Sequence, residues 1–208
     1  MDKKRGKLIV LEGTDGTGKG TQFKRLCAKL ISLGQEVTTF DFPQYGKSSA
    51  YFVEKYLRGE YGTAGEVSAK QASLFFALDR FDVVREIKVA RASGNLVLMN
   101  RYVASNMGQQ GAKIEDAEER KKFFKWLYEL EYGIFQIPKP TISFFLNIPA
   151  IIARELCENL ERRKKKKRDI HEQDAKHFQR AEKAYHHAIK LFPKDFLTIE
   201  NMQNGTLL

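Results

Sequence analysis

Cysteine residues and long apolar runs are both scarce in this sequence. The 208 residues include two cysteines, Cys27 and Cys157, which lie far apart and form no Cys-x-x-C pair. A disulfide framework is therefore not indicated, and isolated thiols are typical of a reducing compartment. The apolar run after the N-terminus, Leu8 to Leu11, is shorter than the ~7–15 residues of a signal peptide or the ~20 of a membrane span. We therefore expect a cytoplasmic protein without membrane attachment.

Positive charge exceeds negative charge, but unevenly along the chain. The formal net charge is +10, and the segment RRKKKKR, from Arg162 to Arg168, supplies seven positive charges, which leaves +3 for the remainder. A nucleic-acid-binding protein usually carries its positive charge as a stripe along the fold. A local cluster can equally bind the phosphates of a nucleotide, so charge alone does not decide between these partners.

Apolar runs of strand length alternate with segments of helical periodicity. Strands are predicted at residues 7–12, 36–40, 95–100, 141–146 and 196–199, and helices at residues 19–33, 48–57, 67–92, 116–130, 148–160 and 171–191. Strands that alternate with helices and are apolar on both faces form a parallel sheet covered on each side. We therefore predict an α/β fold with a five-stranded parallel sheet flanked by helices, in one domain over residues 1–208.

The segment GTDGTGKGT at residues 13–21 connects the first predicted strand to the first predicted helix. Its glycines allow the backbone N–H groups to point inward at phosphate oxygens, and the start of the helix adds partial positive charge. Lys19 places a full positive charge near the β- and γ-phosphates. The sequence thus predicts an ATP-binding phosphate loop, with Lys19 also catalytic, made of Gly13, Thr14, Asp15, Gly16, Thr17, Gly18, Lys19, Gly20 and Thr21.

One position of this loop departs from the usual pattern. A serine or threonine that binds Mg²⁺ normally follows the lysine, whereas this chain has Gly20 and then Thr21. Adenylate kinases have a similar Gly-Lys-Gly-Thr string. Because Mg²⁺ retains several waters, we expect Asp15, through water, or another carboxylate to hold it beside ATP.

Further motifs follow the second strand, the long helix and the third strand. They are Asp41-Phe42-Pro43, the pair Phe76 and Arg80 in LFFALDR, Asn100-Arg101-Tyr102, Ser105-Asn106 and Gln109-Gln110-Gly111. Together with EGTDGTGKGTQ they resemble the thymidylate kinase family, in order and spacing, from about residue 7 to residue 200. The resemblance implies a three-layer P-loop kinase fold and an enzyme that transfers the γ-phosphate of ATP to dTMP, which gives ADP and dTDP.

The resemblance also implies roles for the acceptor side. Phe76 offers a face for stacking on a pyrimidine, and Arg80 lies one turn further along the same helix face. Gln110 has both a carbonyl and an amide for the edge of thymine, and the planar fork of Arg101 suits a phosphate dianion. In the family this arginine grips the acceptor phosphate and is catalytic, and the aspartate at position 15 helps to organise a sugar hydroxyl or the metal. The predicted substrate-binding residues are Phe42, Phe76, Arg80, Arg101, Tyr102, Ser105, Asn106 and Gln110.

Three positions of the sequence matter in the comparison with the family that it resembles. Asn100 stands where an aspartate is usual, and Gln44 follows Phe-Pro where an arginine is common, with Lys47 as a substitute. Gly16 stands where some members carry a catalytic arginine. The resemblance therefore implies that a basic lid, at about residues 161–170, supplies that arginine. We assign Arg168 as catalytic and Arg162 and Arg163 as ATP-binding.

Two alternative functions remain open from the sequence. One is a kinase for another nucleoside monophosphate, which the Gly-Lys-Gly-Thr-Gln string favours. The other is a non-catalytic nucleotide- or nucleic-acid-binding module that uses the basic run. We expect no nucleic-acid partner, and the resemblance implies a homodimer formed by long helices.

Overall fold

The computed structural model describes residues 5–164, 170, 176–203 and 206–207. Its centre is a five-stranded sheet in the order β2-β3-β1-β4-β5, and every neighbouring pair of strands is parallel. The strands are β1 Leu8–Glu12, β2 Val37–Asp41, β3 Leu96–Asn100, β4 Ile142–Asn147 and β5 Phe196–Glu200. The prediction of a five-stranded parallel sheet flanked by helices is confirmed.

Eight α-helices connect or follow these strands within the described residues. They are α1 Lys19–Ser32, α2 Tyr51–Leu57, α3 Ala69–Asp82, α4 Val84–Ala92, α5 Val103–Gly111, α6 Ala117–Tyr128, α7 Ala150–Lys164 and α8 His177–Leu191. None of these helices has the length and apolar character that a membrane span requires. Within the described residues, neither Cys27 on α1 nor Cys157 on α7 forms a disulfide.

The central strand β1 is almost completely buried, which explains its uninterrupted apolar run. Leu8 pairs with Val97 of β3, and Ile9 pairs with Ile142 of β4, so β1 is covered on both edges. An apolar run of this kind is typical of a strand buried on both faces of a sheet. The phosphate loop therefore begins at the end of the central strand of the sheet.

The predicted helix over residues 67–92 is divided into α3 and α4 at Val83. Val83 leaves the helical conformation, with φ −103° and ψ 13°. Val83 and its successor Val84 are both buried. The change of direction allows two consecutive apolar side chains to face the core, which a straight helix does not permit because neighbouring residues point about 100° apart.

Helix α5 was not predicted because its sequence, VASNMGQQG, has poor helix propensity. Packing against the rest of the core compensates for this. A Cβ on Gly108 would lie 2.1 Å from the Tyr185 ring of α8, and one on Gly111 would lie 2.7 Å from the Phe124 ring of α6. The two glycines therefore allow close approach of three helices, which propensity alone does not reveal.

Two smaller elements were also not predicted. Helix α6 continues into a π-helical turn, Glu129–Ile134, and a short hairpin joins β6 Met202–Gln203 to β7 Thr206–Leu207. The predicted helix over residues 171–191 corresponds to α8, although residues 171–175 lie outside the described part of the chain.

Candidate active site

The carboxyl ends of β1, β2 and β3 meet at one edge of the sheet. Asn100 pairs with Leu11 of β1 on one side and with Asp41 of β2 on the other. The residues that follow these strands, Gly13 and Arg101, therefore lie beside one another. Open α/β sheets bind ligands at this edge, where the connections leave in opposite directions from neighbouring strands.

Three glycines give the phosphate loop its shape. Gly13, Gly16 and Gly18 have φ values of +150°, +80° and +80°, and only glycine adopts such values without strain. Gly18 precedes the first residue of α1, so the loop leads directly into a helix N-terminus. A loop of this shape that leads into a helix N-terminus is typical of sites that bind phosphate oxygens through backbone N–H groups.

Lys19 is folded back over this loop. Its Nζ donates to the carbonyl of Thr14 and lies 3.3 Å from Oγ1 of Thr17, while the residue is only 6% exposed. Burial, and next the nearby charge of Arg101, lower the pKa of Lys19 to about 7. A phosphate would replace the stabilisation that water gives an exposed ammonium, so this lysine favours an anionic ligand.

Glu12, the last residue of β1, supports the backbone on the acceptor side. Its carboxylate accepts hydrogen bonds from the N–H of Tyr102 at 2.7 Å and from the hydroxyl of Ser105 at 2.7 Å. Glu12 is completely buried, and burial raises its pKa. Arg101, the residue directly before Tyr102, has φ +64°. This left-handed conformation is rare outside glycine and is typical of functional sites.

The Arg101 guanidinium faces the phosphate loop. Nη2 forms an ion pair with Asp15, and Nη1 lies 3.4 Å from the carbonyl of Gly13 and 3.3 Å from the Ser105 hydroxyl. Burial lowers the pKa of Arg101, but the acidic groups around it, Asp15 first and then Tyr185 and Glu12, together raise it, so the guanidinium stays charged. The structure thus brings together Lys19, Asp15, Arg101 and Ser105, all predicted site residues.

Asp15 also connects this group to helix α8. Its second carboxylate oxygen accepts a hydrogen bond from Nε2 of Gln109 at 3.1 Å, and Oε1 of Gln109 lies 2.6 Å from Nε2 of His177. Because the Gln109 amide nitrogen donates to Asp15, its carbonyl oxygen faces His177 and accepts a hydrogen bond from the N–H of that ring. Neither Gln109 nor His177 was assigned a role from the sequence.

The predicted base-binding residues lie on α3 and α5. Phe76 is half-buried and meets the ring of Tyr56 edge-on, with the centroids 6.1 Å apart. Arg80 is buried and forms a two-pronged ion pair with Glu131, while Asn106 donates to the carbonyl of Ser73 at 3.1 Å. The structure therefore holds Arg80 through a carboxylate, a partner that the sequence did not indicate.

Gln110 is buried at the end of a chain of hydrogen bonds. Lys113 donates to the hydroxyl of Tyr56 at 2.7 Å, and this hydroxyl donates to Oε1 of Gln110 at 3.2 Å. Burial lowers the pKa of Lys113 to about 8. Because an ammonium only donates, it orients the tyrosine hydroxyl towards the Gln110 carbonyl.

Two of the predicted substrate-binding residues have buried aromatic rings. Phe42 is 3% exposed and Tyr102 is 1% exposed, and their rings pack 6.0 Å apart. The Tyr102 hydroxyl donates to the carbonyl of Pro138 at 3.1 Å. Both rings face the interior because the strands they follow are buried, so they shape the acceptor side through packing.

The loop after Phe42 has a polar arrangement of its own. The Gln44 backbone N–H donates to the carboxylate of Asp79 at 2.9 Å, and Lys47 donates to Oε1 of Gln44 at 2.8 Å. Gln44 is buried, whereas Lys47 is exposed. Lys47 is thus the cation that this loop offers in place of the arginine common at position 44.

The basic lid lies at the edge of the described structure. Arg162 and Arg163 belong to the last turn of α7, and Arg168, the predicted catalytic residue, lies outside the described residues. Gly20 and Thr21 are both exposed at the start of α1.

Sequence reasoning missed Glu12, Gln109, Glu131 and His177. A charged residue at the end of an apolar strand, directly before a phosphate loop, is a signal that could have identified Glu12. Gln109 lies within a motif already recognised. Glu131 and His177 carry no such signal, because their partners Arg80 and Gln109 are distant in sequence.

The fold and these groups define a P-loop nucleoside monophosphate kinase, in which a phosphate loop after the central strand faces an arginine at the tip of the neighbouring strand. Comparison with known proteins narrows this class. A family model described as thymidylate kinase matches residues 11–206. The chain therefore belongs to the thymidylate kinase family.

Individual relatives agree with this assignment. The thymidylate kinase of Mycobacterium tuberculosis is 33% identical over 180 residues, which cover 86% of this chain and 83% of that protein. The thymidylate kinase of Plasmodium falciparum is 30% identical over 171 residues, or 79% of this chain and 75% of that protein. A solved structure of thymidylate kinase from Candida albicans covers 94% of this chain and 84% of that chain, with a TM-score of 0.71 and 22% identity, and shows the same fold.

Proposed function

We propose that this protein transfers the γ-phosphate of ATP to dTMP and releases ADP and dTDP. The observation that carries the proposal is the contact between Arg101 and the phosphate loop, through Asp15 and Gly13. Through this contact the guanidinium lies beside the loop that would cradle the donor polyphosphate, and there it would bind the phosphate of the acceptor. Family membership supports the same reaction.

The reaction needs positioning and charge more than covalent chemistry from the protein. An oxygen of the acceptor phosphate attacks the γ-phosphorus, and the bond between that phosphorus and the β,γ-bridging oxygen breaks. The second pKa of a phosphate monoester is near 6, so the acceptor is largely deprotonated at pH 7 and needs no strong base. Lys19 and Arg101 would stabilise the negative charge on the transferring group from two sides.

The nucleoside of the acceptor would lie between α3 and α5. Phe76 would stack on the pyrimidine, while Arg80 and Gln110 would donate to its polar edge. Ser105 and Asn106 would line the same side, and Lys47 would assist Arg101 at the phosphate.

We also propose Mg²⁺ as the metal that accompanies ATP, and the local oxygen atoms fit it. Oδ1 of Asn100 is buried and has no hydrogen-bond partner within the described residues, and the carboxylate of Asp41 lies beside it. The described residues contain no cluster of three or more His, Cys, Asp or Glu side chains, but Mg²⁺ at a nucleotide needs only one or two carboxylates beside phosphates and water. Asp15 and Asp41 would hold its water shell, and the ion would neutralise charge on the phosphates.

The segment at residues 161–170 is the proposed lid of a single kinase domain. Gly16 leaves the phosphate loop without an arginine after Asp15, so the positive charge for the transferring phosphate would come from the lid. We propose Arg168 for this role, with Arg162 and Arg163 on ATP.

A homodimer is proposed from the outer face of α3. Leu74, Leu78 and Phe81 recur at helical spacing and are 38%, 45% and 47% exposed. An apolar stripe of this kind on a helix is typical of a surface that packs against another chain, and we propose a second copy as the partner. The cytoplasmic location also remains a proposal, because it rests on the sequence.

Release of ADP from ATP, measured across a panel of nucleoside monophosphates, tests the proposed reaction. We expect dTMP to be the preferred acceptor and Arg101→Ala to reduce turnover by roughly a hundredfold or more, the loss typical of a group that stabilises the transition state. Arg154→Ala, which removes an exposed arginine of α7, is the matched control and should retain wild-type turnover.

Three results would contradict parts of this proposal. If the enzyme prefers a different monophosphate, dTMP is wrong as the acceptor. If Arg101→Ala keeps near-normal turnover, the role assigned to Arg101 is wrong. Salt-sensitive binding to RNA or DNA without release of ADP would favour a nucleic-acid-binding module instead.

A further inference from the structure

The Arg80 guanidinium is clamped by one carboxylate. Its Nε donates to Oε2 of Glu131 at 2.7 Å, and its Nη2 is paired with Oε1 of the same residue. The side chains of Arg80 and Glu131 are 3% and 0% exposed. A bidentate pair fixes the plane of the guanidinium as well as its position.

Glu131 also lies next to a second predicted acceptor-site residue. Nδ2 of Asn106 lies 3.5 Å from Oε1 of Glu131, and it donates to the carbonyl of Ser73 at 3.1 Å. Ser73 and Arg80 belong to α3, whereas Asn106 belongs to α5. A single buried carboxylate thus contacts polar groups of both helices that flank the proposed base site.

The local backbone around Glu131 is irregular on both sides. Glu131 belongs to the π-helical turn Glu129–Ile134, and Gln136 soon after it has φ +50°. Single π-helical turns are rare and are frequent at functional sites, and left-handed residues other than glycine are similarly concentrated there. The turn changes the direction in which Glu131 leaves the axis of α6.

The stability of the fold alone gives little reason for this ion pair. Burying a carboxylate and a guanidinium costs several kcal/mol per ion before their attraction is counted, and well-packed apolar residues often replace such pairs without loss. A fixed guanidinium has a different use. With Nε and one Nη2 hydrogen bound to Glu131, the donors that remain lie on Nη1 and the outer side of Nη2. Their direction is therefore set by Glu131.

We propose that Glu131 is a positioning residue that determines base selectivity by holding the free edge of Arg80 against the acceptor base. This inference rests on the proposed kinase function. An arginine has donors only, so a fixed Arg80 edge favours a pyrimidine with a carbonyl at position 4, as in thymine. The same edge disfavours cytosine, whose 4-amino group is also a donor. A mobile Arg80 would turn away from the amino group and discriminate less.

The variant Glu131→Gln tests this role, with Glu129→Gln as the matched control. Glu129 lies in the same π-helical turn but is exposed. We expect Glu131→Gln to reduce the ratio of kcat/KM for dTMP to that for dCMP by roughly tenfold or more, about 1.4 kcal/mol, while KM for ATP stays unchanged. Glu129→Gln should keep the wild-type ratio. Equal loss with both acceptors, or an unchanged ratio in a folded Glu131→Gln protein, would overturn the proposal.

A measurement on the wild-type protein covers the case in which Glu131→Gln fails to fold. Nuclear magnetic resonance of the arginine side chains should show one Nε–H that exchanges slowly with solvent, lost in Arg80→Lys and retained in Glu129→Gln. Rapid exchange of the Arg80 Nε–H in the wild type would show that Glu131 does not hold it.

The two proposals fail in different ways. If the wild type prefers another monophosphate, dTMP is wrong as the acceptor, but Glu131→Gln must still weaken discrimination between carbonyl- and amino-bearing bases. If no monophosphate is phosphorylated, the proposed function fails. The selectivity for dTMP over dCMP is then measured by calorimetry, as the ratio of the two binding constants. An unchanged binding ratio in Glu131→Gln would then refute the inference as well.

Discussion

Nδ2 of Asn100 donates a hydrogen bond to Oδ1 of Asp41 at 2.8 Å, across a register pair of the parallel strands β3 and β2. The resemblance to the family places an aspartate at position 100. In this chain the carboxylate lies instead on the adjacent strand, at the same level of the sheet. Burial raises the pKa of Asp41, and the hydrogen bond from Asn100 partly offsets this rise.

This pairing predicts that the carboxylate can function at either position, 41 on β2 or 100 on β3. Asp41→Asn should reduce kcat by roughly tenfold to hundredfold, because it removes a carboxylate that would hold the water shell of Mg²⁺. The double variant Asp41→Asn with Asn100→Asp should recover most of that loss. Steady-state kinetics at saturating ATP checks both expectations.

A similar pair at the other side of the sheet serves as the control. Asn147 donates to the carboxylate of Glu200 at 2.9 Å and 3.0 Å, across β4 and β5. Glu200→Gln should leave kcat close to that of the wild type. A double variant less active than Asp41→Asn alone would refute the exchange.

The lowered pKa of Lys19 predicts that the protein takes up a proton when ATP binds. Its pKa is lowered to about 7 in the free protein, so at pH 8.5 most molecules carry a neutral lysine. Bound phosphates favour the charged form and raise this pKa. Affinity for ATP should therefore fall as pH rises above about 7, with close to one proton taken up at pH 8.5. Calorimetry in buffers of different ionisation enthalpy measures this uptake.

Two variants separate Lys19 from other groups. Lys19→Arg remains charged at every accessible pH, so its ATP binding should show no uptake. Lys24→Met, which changes an exposed lysine of the same helix, should behave as the wild type. A binding enthalpy of the wild type that is independent of buffer would contradict the prediction.

Gln109 is predicted to hold Asp15 and, through it, Arg101. Gln109→Leu removes the donor to Asp15 at 3.1 Å and the acceptor that faces His177. Such a change loosens the orientation of a charged group rather than removing it, so we expect kcat to fall about tenfold. KM for ATP should change little, because Lys19 and the loop glycines are untouched. The exposed Gln35, beyond α1, provides the control Gln35→Leu; an equal loss of kcat in both variants would exclude this role for Gln109.

The outer face of α3 predicts the oligomeric state. Leu78→Asp introduces a charge in the middle of the apolar stripe, so the proposed dimer should dissociate at micromolar concentration while the monomer stays folded. Light scattering coupled to size-exclusion chromatography measures the mass. Val89→Asp, at an exposed position of α4 that is 58% accessible, should remain dimeric. A monomeric wild type would refute the proposed interface.

The elements that could be predicted are those whose local sequence alone indicates whether they are buried and how the backbone is shaped. Buried strands such as β1 and β4 are mainly apolar, and the glycines before Lys19 indicate a backbone conformation that other residues rarely adopt. Patterns of this kind are local, so they are readable without coordinates. For the same reason, residues 13–21 were assigned correctly as a strand-to-helix loop.

The remainder depended on partners that are distant in sequence. Helix α5 was missed because its stability comes from Tyr185 and Phe124 rather than from its own propensity. Arg80 was expected to be available to a ligand, yet Glu131 lies 51 positions further along and no period connects them. Phe42 and Tyr102 follow buried strands, and only the packing of those strands decides that their rings face inward.

Gly16 lies at a position of the phosphate loop where a cationic side chain does not fit. A Cβ at Gly16 would lie 1.9 Å from the carbonyl oxygen of Ala153 on α7, and φ there is +80°. Backbone atoms thus occupy the space that any longer side chain would need. An arginine at position 16 of this chain would therefore require the phosphate loop and α7 to shift together, so the single substitution Gly16→Arg cannot supply that cation.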